Sequence, residues 1–219
     1  GHSAIAGVIG APAARTLLDY DSAAAVEAAL EWGDQPGNTI LTLGDAAYPA
    51  LLLEIPDPPV TLYVKGDPLL LARQSVAVVG ARSATPQGEA NAEAFATSLS
   101  QSALCIVSGL ALGIDAAAHR GGLAGPGSTV AVIGTGADRI YPARNAARAR
   151  RIAEAGAIVS EFPLGTAPLA HNFPRRNRLI AGLASGVLLV EAALQSGAPT
   201  TARLATDCGR AVSAIPGST

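Results

Sequence analysis

From Ser75 onward, short apolar runs alternate with longer stretches of helical periodicity. The runs are Val76–Val79, Leu104–Val107, Thr129–Ile133, Ala157–Val159 and Val187–Val190, with a weaker one at Ala211–Ile215. Such continuous runs suit strands buried on both faces. Between them the spacing predicts helices over Pro86–Ser102, Ala111–Leu123, Ala143–Ala155, Pro174–Ala184 and Ala198–Cys208. Thr85 before Pro86 fits an N-cap followed by proline at the first helical position, and Gly156 and Gly209 sit where C-terminal caps belong. Alternating strands and helices imply right-handed crossovers. The expected fold class is α/β, a Rossmann-like, doubly wound and mostly parallel sheet with a small N-terminal helical appendage.

Upstream the pattern is less regular. Residues 40–71 hold two strand candidates, Ile40–Leu43 and Thr61–Val64, separated by proline-rich turns, and read as a lead-in covering one edge of the sheet. Residues 4–32 are alanine-rich and suggest two short helices, the second starting at Ala23 behind an Asp21-Ser22 cap. The expected division is a partial helical (SAM-like) domain over 1–37 and an extended Rossmann-like domain over 38–219.

The formal charge of −2 conceals an asymmetry. Residues 1–70 carry nine acids and two bases, residues 71–219 eight acids and thirteen bases, all arginine. A basic region attracts polyanions even on a weakly acidic chain. No apolar run approaches the ~20 residues of a membrane span. The two cysteines, Cys105 and Cys208, are read as reduced thiols, which suits a cytoplasmic protein.

In a doubly wound sheet, ligands bind at the carboxyl ends of the strands. The loops there are Gly80-Ala81-Arg82-Ser83, Ser108–Gly113, Gly134-Thr135-Gly136, Ser160–Arg178 and Glu191–Gly197. Strand, glycine turn and helix start at Ser108–Gly113 resemble a phosphate seat. Yet no loop carries the G-x-G-x-x-G fingerprint in context and no Walker motif occurs, so no nucleotide cofactor is expected. The stretch PLAHNFPRRNR, residues 168–178, places Arg175, Arg176 and Arg178 beside Phe173 and Asn177. Arginines pair with phosphates and a phenylalanine stacks on bases. Three arginines at a helix start oppose the dipole, a conflict that either a polyanion or pairing with Glu161 and Glu191 relieves. A second basic cluster, Arg144, Arg148, Arg150 and Arg151, reads as a solvated helix face. Ser108, Asp115 and His119 invite a triad reading, but no nucleophile elbow marks it, and Asp115 is expected to fasten nearby backbone or His119. No residues have metal-ligand spacing.

The segments LGDAAYPALLLEIPDPPVTLYVKGD, VAVVGARSATPQG, SGLALGIDAAAHRGGL, VAVIGTGADRIYPARN, SEFPLGTAPLAHNFPRRNRLIAGLASGVLLVEAALQSGAPTTARLA and GRAVSAIPGS closely resemble the DNA-processing protein A (DprA/Smf) family of bacterial natural transformation. They span about residues 41–218 in order. The resemblance implies a non-enzymatic protein that binds single-stranded DNA, forms a homodimer and loads the RecA recombinase onto the strand. Carried over by motif, the implied DNA contacts are Arg82, Ser108, Gly109, Gly113, Phe173, Arg175, Asn177 and Arg178, with Ser196, Gly197 and Thr200 as weaker candidates. Family members continue beyond the IPGS stretch, often into a winged-helix-like domain. The alternative is a nucleotide phosphoribohydrolase-like enzyme of related fold, but the stretch Glu191–Gly197 lacks the P-G-G-x-G-T loop of such enzymes.

Overall fold

The computed structural model describes residues 2–19, 21–192 and 197–215. Three short helices open the chain: α1 (His2–Ile9), α2 (Ala11–Leu18) and α3 (Ala23–Gly33), one more than the spacing predicts. Gly10, at φ 84°, separates the first two. The Asp21 carboxylate accepts the N–H of Ala23, the first residue of α3, at 3.0 Å in a local turn, while Ser22 at the N-cap position makes no side-chain cap bond. Trp32, at the end of α3, is buried edge-on against Tyr63 with ring centroids 5.7 Å apart, which anchors this helix to the sheet.

The sheet contains β1 (Asn38–Thr42), β2 (Thr61–Gly66), β3 (Ser75–Gly80), β4 (Cys105–Ser108), β5 (Thr129–Val132), β6 (Ala157–Ser160), β7 (Gly186–Val190) and β8 (Ala211–Ala214). Their spatial order is β1-β2-β6-β5-β4-β3-β7-β8. All neighbours from β6 to β8 are parallel, whereas β1–β2 and β2–β6 are antiparallel. The proline-rich lead-in therefore extends the sheet by two strands at the β6 edge, with a short helix, α4 (Ala50–Leu53), between them.

Helices cover both faces. α8 (Asn172–Leu183) and α9 (Gly197–Asp207) join α4 on one face, where Leu52, Leu179, Ile180, Leu183 and Ala205 pack on Ala77, Val79, Val107, Val132 and Val187. On the other face α5 (Pro86–Gln101) and α6 (Ile114–Gly122) cover Val78 and Ile106 through small residues, Ala92, Ala96, Ala117 and Ala118. Alanine and glycine contacts bring α5 and α6 close together, and Arg120 of α6 pairs with Glu89 and Glu93 of α5. α7 (Ala146–Ala155) lays Ala149 and Ile152 on Ala131 and Ile158. Thr85 caps α5 as its sequence implies, its hydroxyl accepting the Gly88 N–H at 3.0 Å. Cys105 and Cys208 are free thiols, and burial pushes the Cys105 pKa up to about 12. No described helix is long and apolar enough to cross a membrane.

The chain runs from β3 outward through β4, β5 and β6, then returns to place β7 on the other side of β3. The order therefore reverses between β3 and β7, and a crevice forms there at the carboxyl ends of the strands.

Candidate nucleic-acid interface

The crevice is a cleft of about 750 Å³. Arg82 and Ser83 after β3, Phe173, Arg176 and Asn177 of α8, Gly197 and Thr201 of α9, Tyr141, and Asp115 of α6 all line it. An adjoining recess of about 110 Å³ continues past Gly109, Leu110, Tyr141 and Phe173.

Its wall is an aromatic and cationic stack. The Arg82 guanidinium lies 5.7 Å from the centroid of the Phe173 ring, and Tyr141 lies 5.7 Å from the same ring on a tilted plane. The loop after β5 seats this wall. Asn172 donates to the Gly134 carbonyl at 3.0 Å, and the Phe173 ring lies over Gly134, where a side chain would meet it at 3.0 Å. Of the two glycines that resemble part of a cofactor fingerprint, Gly134 thus makes room for the start of α8, while Gly136 packs against Pro163 and Gly165. Arg82 and Tyr141 are exposed. No carboxylate among the described residues is within ion-pair distance of Arg82.

The floor differs from the sequence expectation. The helix expected from Ala111 begins at Ile114, because Leu110 at φ 57° and Gly113 at φ 71° turn the backbone out of helical geometry. The Asp115 carboxylate accepts the Ala111 N–H at 3.3 Å and draws the Gly109 N–H as well. His119 Nε2 accepts the Leu110 N–H at 3.3 Å, and the Ile114 N–H reaches the Ala81 carbonyl at 3.1 Å. The N–H groups of Gly109, Leu110, Ala111 and Ile114, expected to face a phosphate, already have partners, and Asp115 places a carboxylate at the positive end of α6. Asp115 thus fastens backbone, as its sequence position implies, whereas His119 pairs with Thr129 and the loop rather than with Asp115. Ser108 is fully buried and donates to the Val78 carbonyl at 2.7 Å. Gly113 packs beneath the Arg82 turn, where a side chain would come within 2.3 Å of the Ala81 carbonyl.

Arg176 fills the rest of the seat. Only 4% exposed, it donates to the carbonyls of Gly109 and Val132 from one guanidinium nitrogen. A side chain at position 109 would meet that guanidinium at 2.5 Å. Burial lowers the Arg176 pKa to about 10, with Asp115 opposing the shift, so the group stays cationic at neutral pH. Burial raises the Asp115 pKa, and Arg176 opposes that in turn. Burial also lowers the His119 pKa to about 3, reinforced by Arg148 and Arg176, which keeps the ring neutral.

The other arginines of α8 point elsewhere. Arg178 pairs with the buried Glu161 and lies 3.5 Å from Asp57, while Arg175, 60% exposed, lies 3.4 Å from Glu161 and 5.7 Å from the Phe162 ring. Pairing with Glu161 therefore relieves the dipole conflict in part. Glu191, which opens the stretch that lacks the P-G-G-x-G-T loop, accepts the Thr85 N–H at 2.8 Å and the Thr85 hydroxyl, and so anchors the start of α5.

Of the residues expected from motif, Arg82, Phe173, Asn177 and Gly197 line the cleft and Gly109 its recess. Ser108, Gly113, Arg175, Arg178 and Thr200 do not line it, and Ser196 lies outside the described residues. Thr201, rather than Thr200, faces the cleft, with its hydroxyl on the Gly197 carbonyl at 3.2 Å. Asp115, Tyr141 and Arg176 also belong to its lining. Helical phase points to Arg176, which shares a stripe with Asn172, Leu179, Ile180 and Leu183, all buried.

Residues 39–219 match the model of the family described as DNA recombination-mediator protein A. The chain belongs to this family. Among its members, protein Smf of Escherichia coli K12 is 45% identical over 193 residues, 88% of this chain and 52% of that protein. DNA processing protein DprA of Streptococcus pneumoniae R6 is 47% identical over 174 residues, 80% of this chain and 61% of that protein. The chain thus spans roughly half the length of these relatives. The crystal structure of Streptococcus pneumoniae DprA matches 94% of this chain and 71% of its own, with a TM-score of 0.83 at 41% identity. DprA of Helicobacter pylori, whose structure concerns its single-stranded DNA binding mode, matches 82% of this chain and 81% of its own, with a TM-score of 0.75 at 33% identity. These likenesses agree with the Rossmann-like, mostly parallel sheet.

Proposed function

We propose that the chain binds single-stranded DNA in the crest cleft, acting in DNA processing during natural transformation, and that the bound strand is presented for loading of RecA by a homodimer. One observation carries the DNA reading: the Arg82–Phe173–Tyr141 wall beside a cleft too polar at its floor for a greasy ligand. Aromatic faces and cations together suit unpaired bases and their phosphates, because every base has a face to stack and a backbone to neutralise. In a duplex the bases are stacked on one another and out of reach of Phe173. The floor groups Asp115, Asn177 and Thr201 are suited to a base edge rather than a phosphate, since a second anion beside Asp115 would be repelled. Family membership, with a relative described by its single-stranded DNA binding, supports the same reading.

On this reading the protein binds rather than catalyses. Glu191 is held against Thr85, away from a role in cleaving a glycosidic bond. Incubation with AMP is expected to release no adenine; turnover would favour the enzymatic alternative. For the site, fluorescence polarisation of a labelled ~20-nucleotide strand is expected to show weaker binding by Arg82→Ala. The salt slope should flatten by about 0.7, the share of one neutralised phosphate on a single strand. Unchanged affinity at every salt concentration would remove Arg82 from the site. RecA filament assembly on single strands, with and without the protein, tests the loading step.

A further inference from the structure

A second opening lies away from the crest, beside α7 and the turn that joins the helical segment to β1. It is a slot of about 310 Å³. Leu110, Ile133, Ala149 and Ile158 form its floor, each at most 4% exposed, and they belong to the core beneath α7. Lys65, Arg139 and Arg150 stand exposed around it, and none has an ion-pair partner among the described residues. Two acids share the rim, Glu154 and Asp138, the latter also accepting the Gly165 N–H at 2.9 Å, so the cations outnumber the acids three to two.

The chemistry of this slot differs from that of the crest. Its lining holds no aromatic ring and no buried polar side chain. A nucleobase would find nothing to stack on and no partner for its edge, and a phosphate chain would leave the aliphatic floor unfilled. An aliphatic or aromatic side chain flanked by carboxylates satisfies both the floor and the rim. We propose that the slot docks an acidic segment of a partner protein, with one apolar side chain on the Leu110–Ile133–Ile158 floor and its carboxylates paired with Lys65, Arg139 and Arg150. The proposal is independent of the DNA reading, because it uses neither Arg82 nor Phe173.

The probe is a fluorescein-labelled nonapeptide of aspartate and glutamate with one central leucine, measured by polarisation against the whole chain. Saturable binding is expected. Replacing the central leucine by alanine is expected to weaken it roughly tenfold, the scale of one buried apolar side chain. Ala153→Leu, which fills the slot from the partly exposed side of α7, is expected to do the same. Arg150→Ala, at an exposed position that threatens no packing, is expected to weaken binding and reduce its salt dependence. Equal binding of the leucine and alanine peptides would reduce the slot to a non-specific cationic surface and overturn the proposal. Binding that Ala153→Leu leaves untouched, and that a thymidine 20-mer displaces, would put the peptide at the crest and overturn it equally.

Discussion

Arg176 offers the sharpest test of how this site is built. It sits among three arginines that all look like phosphate ligands in the sequence, yet its guanidinium is buried on the carbonyls of Gly109 and Val132, near the Asp115 carboxylate. Replacing it by methionine removes the cation but keeps most of the stem. Two carbonyls then lose a donor, and a buried carboxylate loses its compensating charge. Breaking a buried charged arrangement from one side costs about 3–5 kcal/mol, a fifth or more of the ~5–15 kcal/mol that holds a typical domain folded. Arg175→Ala is the control: at 60% exposure its pairing with Glu161 is worth about 0–1 kcal/mol. Urea unfolding followed by far-UV circular dichroism gives both values. Asp115→Asn in the Arg176→Met background is expected to recover part of the loss, because the orphaned charge is gone. If Arg176→Met unfolds at the wild-type midpoint and only loses affinity for DNA, Arg176 is a ligand and the buried strut described here is wrong.

Other consequences follow from the same geometry. Gly109→Ala is expected to destabilise the chain by clashing with the guanidinium, and to cost less in the Arg176→Met background than in the wild type, which a double-mutant cycle by urea unfolding reads directly. Gly113→Ala forces a side chain against the Ala81 carbonyl at φ 71°, at an expected loss of about 1–3 kcal/mol in the same assay. His119 has a folded pKa of about 3 against 6.5 unfolded, so the unfolded chain binds the extra proton between these values. Stability is therefore complete above about pH 6.5 and falls as the pH drops, by about 2 kcal/mol at pH 5. His119→Gln, which keeps an acceptor for Leu110, should flatten that limb of the unfolding midpoint against pH. Phe173→Ala removes the stacking face and should weaken single-strand binding roughly tenfold to a hundredfold by polarisation.

Much of the fold is legible because the central strands are continuous apolar runs. β3, β4, β5, β6 and β7 fall within a residue or two of those runs, since strands buried on both faces admit few polar positions. The start of α6 is not legible in the same way. Ala111 and Leu112 carry helical preference, but Gly113 is left-handed against the Arg82 turn and Leu110 is left-handed where His119 and Asn145 hold its backbone, long-range contacts that no local pattern encodes. The site is legible in its aromatic and cationic wall and illegible in its floor. Charged residues are exposed by default, so Arg175, Arg176 and Arg178 read alike in a row. On a helix beginning at Asn172, Arg175 and Arg178 lie about 60° apart while Arg176 is turned about 100° and 160° from them, and only Arg176 falls in phase with Leu179, Ile180 and Leu183. Locating the helix start two residues earlier than Pro174 separates the buried strut from the exposed pair.

An open crest with an aromatic wall should take an unpaired strand in preference to a paired one. Polarisation of a labelled ~20-nucleotide single strand and of the matching duplex, each at two salt concentrations, tests this preference. Tighter binding of the single strand is expected at both, with affinity falling steeply as salt rises. Equal affinity for the two forms, or single-strand binding indifferent to salt, would contradict it.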